Sequence, residues 1–143
     1  MRIDIPDNKK QIHETLISIR WGDMDSYRHI NNTVYFRYME QARIEWITSM
    51  GFSSIAEKEA MIMVNGFCNF YKQVSFPGTL CVKTFVGAMG NSTIDLINTM
   101  ELVGVEKHDM PVMCAAGGAT MLWVDLEKNK SMPWPESILR VLR

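Results

Sequence analysis

The sequence predicts an α+β domain in which one antiparallel sheet wraps a single long helix. Two observations carry this. A helical pattern of nearly five turns, Thr33 to Met50, is preceded by one strand-like run and followed by four more. Those later runs are joined by short turn signals, and no βαβ alternation continues after the helix. A doubly wound parallel sheet is not expected, and strands meeting through hairpins around one helix fit better. A chain of 143 residues suits one domain, residues 1–143.

Residues 1 to 11 read as a polar, loosely held lead-in. From His13 the chain alternates, with Ile17, Ile19 and Trp21 on one face and Ser18 and Arg20 on the other, the mark of a half-buried strand. Gly22 and the polar run Asp23–Asn32 end it. Asn31 or Asn32 is the expected N-cap of the helix. Tyr35, Met39, Ala42, Trp46 and Met50 recur at spacings of four and three and share one face, with Arg37, Gln41, Ile44 and Thr48 opposite. Gly51 suits the position just past the helix end. At 1.5 Å per residue the helix is ~27 Å long, enough to cross a small sheet.

A short second helix is expected over Ser53–Ala60. The strands that follow are Met61–Val74, with an irregularity at Asn65-Gly66, then Leu80–Ala88 and Ser92–Val103, hinged at Gly90-Asn91. Phe76–Thr79 and Glu106–Asp109 are expected turns. Val112–Val124 is the last strand. Its middle, Ala115-Ala-Gly-Gly-Ala119, has almost no side chains, a hollow in which the helix could lie. Asp125–Lys130 is a turn, and Pro135 stands at or near the first position of a closing helix, Glu136–Leu142.

Composition narrows the function. The formal net charge of −1 offers no surplus for nucleic acid or an anionic membrane, and no apolar run reaches the length of a bilayer span. The N-terminus has no signal-peptide core, so a cytoplasmic setting is expected. Cys68, Cys81 and Cys114 are isolated among apolar residues and read as small buried thiols. His13, His29 and His108 are too scattered for a zinc site, and no metal, nucleophile-elbow or dinucleotide motif is present. The 12 methionines, among them Met39, Met61, Met63, Met113 and Met121, suit core filling better than an acyl pocket.

The chemistry concentrates in the loop ahead of the helix. Asp23, Asp25, His29, Asn31 and Asn32 put acid, base and amide groups beside a helix N-terminus, whose free N–H groups and dipole favour negative charge. A carboxylate next to an oxyanion-stabilising helix end is an apparatus for acyl transfer. Asp25 could equally cap a turn, and Asp23 reads as a turn-forming neighbour. Glu40 is expected to pair with Arg43 at i, i+3 or to hold the loop.

Arg20-Trp-Gly-Asp-Met-Asp25, His29-Ile-Asn-Asn32, then Tyr35, Glu40 and Arg43, Tyr71–Thr79, Leu122-Trp-Val-Asp125 and Pro133-Trp-Pro135 together resemble the hotdog-fold acyl-CoA thioesterases, in particular the 4-hydroxybenzoyl-CoA thioesterase-like group. The resemblance covers nearly the whole chain. It implies a five-stranded antiparallel sheet around the long helix. It also implies a homodimer or homotetramer with active sites at the dimer interface, and an acyl-CoA substrate with no further cofactor, coenzyme A being part of substrate and product. It gives Asp25 the role of base or nucleophile, and it makes the Asn32 backbone N–H the donor to the thioester carbonyl. His29 is the third candidate, assisting Asp25 or shaping the site. In related acyl-carrier-protein thioesterases the pattern is Asp-x-Asn-x-His, and here Tyr27 stands where the Asn would be. Asn31, Tyr35, Asn91 and Ser92 are the substrate-binding candidates, the last two on the hairpin where relatives contact pantetheine or nucleotide phosphates. Relatives often carry arginines there, and this chain has Gly87-Ala-Met-Gly90 instead. Rival readings are an acyl-carrier-protein thioesterase, a hotdog hydratase or dehydratase, and a non-catalytic acyl-thioester binding module.

Overall fold

The computed structural model describes residues 1–104, 106 and 109–143. Of the expected turn Glu106–Asp109, Lys107 and His108 therefore lie outside the described residues. Five long strands, β1 (Lys10–Ser18), β2 (Glu59–Phe70), β3 (Thr79–Met89), β4 (Thr93–Leu102) and β5 (Val112–Asp125), form one sheet in the order β1-β3-β4-β5-β2. Every neighbouring pair is antiparallel. A two-residue strand, β6 (Lys130–Ser131), adds to β5 beyond the expected five. Helix α1 (Asn32–Ser49) lies on one face, and α2 (Glu136–Leu142) closes the chain.

Periodicity set the buried face of α1. Tyr35, Met39, Ala42 and Trp46 are buried as expected, joined by Tyr38, Arg43 and Ile47. Arg37, Gln41, Ile44 and Thr48 face outward. Gly51 takes φ +90, the left-handed geometry that ends the helix. The core lies between helix and sheet in two clusters. One joins Tyr35, Met39 and Ala42 to Leu80, Val82, Met100 and Ala115. The other joins Trp46 and Ile47 to Val86, Ile94, Leu96 and Trp123, and α2 adds Ile138 and Leu142.

The small centre of β5 admits the neighbouring strand and one helix side chain, while the helix backbone lies nearest β1 and β3. A Cβ on Gly117 would stand 2.2 Å from the Phe67 carbonyl oxygen and 3.0 Å from the Met39 Sδ of α1. The irregularity expected at Asn65-Gly66 is a register shift between Met63 and Asn65.

Several expectations are corrected. Ser53–Ala60 is no helix: the segment is irregular through Lys58 and β2 begins at Glu59, where pairing with Asp125 of β5 takes the end of the segment into the sheet. β1 starts three residues before His13 and stops at Ser18, and Trp21 leaves the sheet face for a 3₁₀ turn, Trp21–Asp23. The first nine residues are tied to the sheet, not loose. Asn69 Nδ2 donates to the Ile3 carbonyl at 2.7 Å, and Lys9 Nζ sits 5.4 Å from the Phe85 ring centroid. The β3–β4 link spans Gly90, Asn91 and Ser92, three residues where two were expected. Glu40 pairs with Arg37 at 2.6 Å, not with Arg43, whose side chain turns inward to donate to Met63 Sδ at 3.8 Å. No helix among the described residues is long and apolar enough to cross a membrane.

Cys81 and Cys114 are buried and Cys68 half-buried, all free. Burial pushes the Cys68 thiol up to about 12. Burial, then the bond to Glu14, pushes Cys81 to about 11. At pH 8 the native thiols should therefore react with a disulfide reagent about tenfold or more slowly than the same thiols in denaturant. Fast native labelling at all three would contradict the burial described. Gly117→Ala should cost about 1–3 kcal/mol by forcing β2 or α1 away, lowering Tm by several degrees in a thermal melt. An unchanged Tm would show that the helix does not need the hollow.

Candidate active site

The loop between β1 and α1 is built around Asp23. Its Oδ2 accepts the Arg20 N–H at 2.9 Å and the Tyr38 hydroxyl at 2.7 Å. Its carbonyl accepts the N–H of Asn31 at 3.0 Å. One residue thus ties the strand exit, the helix cap and the second turn of α1 together. This is the turn-forming role expected for Asp23, with a tertiary bond to Tyr38 added. Burial, reinforced by the bond to Asp23, pushes the Tyr38 hydroxyl far above the ordinary tyrosine range, so it remains a donor.

Asp25 follows in a tight reversal. Its N–H donates to the His29 carbonyl and its own carbonyl accepts the Arg28 N–H, both at 3.0 Å. Its carboxylate accepts the Tyr27 N–H at 2.9 Å through Oδ1. The side chain therefore caps a turn, as the alternative reading of Asp25 held. Oδ2 has no protein partner among the described residues, so one oxygen stays free for chemistry.

Asn31 is the N-cap of α1. Its Oδ1 accepts both the N–H and the hydroxyl of Thr33, at 2.9 and 2.7 Å, and its carbonyl accepts the Val34 N–H. The Asn32 N–H has no acceptor among the described residues. It is the free donor at the positive end of the helix dipole.

These groups meet in one cleft of about 460 Å³, lined by Asp25, Tyr27, His29, Ile30, Asn31, Asn32, Tyr35 and the segment 70–73. Five of the seven residues singled out from the sequence are thus brought together. His29 Nδ1 is buried without a partner. Tyr35 forms part of the lining, its ring edge-on to Phe70 at 5.2 Å. Burial, and to a lesser degree the neighbouring Cys114 and Cys68, pushes its hydroxyl up to about 12, so it too stays protonated.

Asn91 and Ser92 do not join this cleft. They lie past the Met89 end of β3, whereas the β1–α1 loop sits at its Thr79 end, where the Gly78 carbonyl accepts the Ile19 N–H. Eleven strand residues separate the two, ~35 Å at the usual rise. Within one chain the Ser92 carbonyl instead accepts the Trp134 indole N–H at 2.9 Å.

Phe70, Tyr71 and Gln73 also line the cleft and were not singled out from the sequence, and beside them stands Lys72, whose charge the sequence offered as a possible phosphate contact but more simply as a solvated one. The Tyr71 and Lys72 N–H groups both donate to the Cys114 carbonyl, which turns this segment off β2 toward the loop. Tyr71–Thr79 carried part of the resemblance, and that was the available signal. Among the described residues no group of three His, Cys, Asp or Glu side chains could hold a metal ion.

Comparison with known proteins agrees with this architecture. The model of the thioesterase-like superfamily matches residues 19–142. The uncharacterized protein YsmA of Bacillus subtilis (strain 168) is 24% identical over 120 residues, 84% of this chain and 78% of that protein. The PA2801 protein, a thioesterase candidate from Pseudomonas aeruginosa, is 30% identical and superposes with a TM-score of 0.85, over 94% of this chain and 100% of its own. The DHNA-CoA thioesterase from Staphylococcus aureus superposes at 0.75 over 93% and 90% with 19% identity, a likeness of fold alone. A match over nearly the full length, with the strand order and single long helix seen here, leads to one conclusion: the chain belongs to the thioesterase-like superfamily and has its hotdog fold.

Proposed function

We propose that the protein hydrolyses an acyl-CoA thioester to the free acid and coenzyme A. One observation carries the reading: the Asp25 carboxylate and the unpartnered Asn32 N–H border one cleft at the start of α1. Sulfur donates poorly to a thioester carbonyl, so the carbon is open to attack once its oxygen is polarised. The Asn32 N–H, aided by the helix dipole, supplies that polarisation and holds the oxyanion as it develops. Asp25 either takes the proton of an attacking water or adds to the carbon itself, forming an anhydride that water then opens. In both routes the C–S bond breaks and the thiolate leaves to collect a proton. His29 lines the cleft, its Nδ1 buried without a partner, and assists Asp25 or shapes the site. Asn31 contributes by fixing the helix start, and Tyr35 by walling the acyl space. Coenzyme A enters only as part of the substrate, and no resident cofactor is invoked.

A homodimer through β2 belongs to the same proposal. β2 is a twelve-residue edge strand with Ile62, Met63 and Val64 about half exposed, a surface suited to pairing with a second copy. Antiparallel pairing about a two-fold axis would set the far end of one protomer against the catalytic loop of its partner. Asn91 and Ser92 could then approach substrate only in the partner's site.

Free-thiol release from a panel of acyl-CoAs tests the chemistry. At least one should be cleaved, and Asp25→Asn should lose about a hundredfold or more of kcat while melting like the parent. Activity that survives would remove Asp25 from the mechanism. Cleavage of acyl-carrier protein alone would reassign the substrate, enoyl interconversion would point to a hydratase, and binding without turnover to a binding module. Light scattering should give twice the 16.4 kDa chain mass, or four times it for paired dimers. Val64→Lys should shift it toward the monomer with loss of turnover, and a monomeric, fully active parent would refute the interface.

A further inference from the structure

Asp25 borders a second cleft as well. This one, about 710 Å³, opens on the other side of the catalytic loop and is lined by Trp21, Met24, Asp25, Ser26, Arg28, Ser75 and Phe76. Its rings are exposed, Trp21 by 74%. Its cation is Arg28, and the backbone there is unusual. Arg28 has φ +64, and the other described non-glycine residue with positive φ is Asn129, a type common in that region. Glycine would take this geometry without the cost of a Cβ. The conformation is pinned on both sides, by the Arg28 N–H to the Asp25 carbonyl at 3.0 Å and by the Ser75 hydroxyl to the Arg28 carbonyl at 2.7 Å. Among the described residues no carboxylate pairs with Arg28. The nearby Asp23 carboxylate accepts the Arg20 backbone N–H and the Tyr38 hydroxyl. A charged side chain is thus held out at the mouth of the site, at a position where backbone geometry alone would select glycine.

A thioester has two limbs leaving the carbonyl, and two clefts meet at Asp25. We propose that the Trp21–Arg28–Phe76 cleft receives the thiol limb, a phosphorylated pantetheine arm, with the Arg28 guanidinium pairing a phosphate of that limb. Met24, Trp21 and Phe76 flank the apolar stretch of the arm, and the acyl limb lies in the cleft walled by Tyr35 and Phe70. This assignment rests on the thioester reading above. It supplies a cation that the glycine-containing β3–β4 hairpin lacks.

Three substrates carrying the same acyl group decide it: acyl-pantetheine without phosphate, acyl-4′-phosphopantetheine and acyl-CoA. Arg28→Ala should raise KM about tenfold for the phosphorylated substrates, leave kcat within about twofold, and leave acyl-pantetheine unchanged. Arg28→Lys should recover part of the loss. An effect on both phosphorylated substrates assigns Arg28 to the arm's own phosphate, which a carrier protein shares. An effect on acyl-CoA alone assigns it to the nucleotide phosphates. A change that is equal with acyl-pantetheine, or absent with all three, overturns the proposal. Calorimetric binding of coenzyme A and of 4′-phosphopantetheine separates this from failure of the hydrolase reading. If no thioester is cleaved, tenfold weaker binding by Arg28→Ala still supports the subsite, and unchanged binding refutes it.

Discussion

The packing of α1 across the face of the sheet is the constraint on which the rest of the structure depends. Side chains project from both partners in an ordinary helix–sheet contact. Here Gly117 contributes none, and the Phe67 carbonyl of β2 and the Met39 Sδ of α1 both come close to where a Cβ would stand. The helix backbone itself lies nearest β1 and β3, and buried side chains of both core clusters fill the space between helix and sheet. The Asn32 N–H and the Asp25 carboxylate share a cleft at the start of this helix, whose Tyr35 and Tyr38 are anchored in the core.

Aim is supplied separately, by polar bonds. Asp23 spends its carboxylate on Arg20 and Tyr38 and its carbonyl on Asn31, so strand exit, helix cap and helix body move together. Asp25, two residues on, is left with only a backbone donor on Oδ1. Two aspartates with the same chemistry are thus separated by what surrounds them. One is spent on architecture and the other keeps an oxygen for the cleft. Polar groups that are fully satisfied rigidify a loop, and a group left open within such a loop is presented without a large ordering cost.

Much was legible because it depends on local rules. The spacing of Tyr35, Met39, Ala42 and Trp46 marks a buried helix face whatever the partner is. The glycine-rich centre of β5 signalled a close approach, and the cluster before α1 signalled a polar helix start. Errors came where local preference is weak or distant contacts decide. Ser53–Ala60 carries capping residues, yet the strand it leads into wins at its end. Trp21 continues an alternation by type but turns outward into a 3₁₀ turn. Glu40 has arginines at i−3 and i+3, and burial of Arg43 against Met63 leaves Arg37 as its partner.

The sequence by itself determined the class of the fold, the length and buried face of α1, and most of the stretch that lines the candidate site. These follow from periodicity, chain stiffness and side-chain type, which act over a few residues. Only the tertiary structure decided which of the polar residues meet. It brought residues 70–73 to Asp25 across some fifty positions of chain, and it sent Asn91 and Ser92 to the opposite end of the sheet. It also left the Asn32 N–H open while closing Asp23. Strand order and register set those outcomes, and they emerge from the collective burial of two core clusters that no single segment encodes.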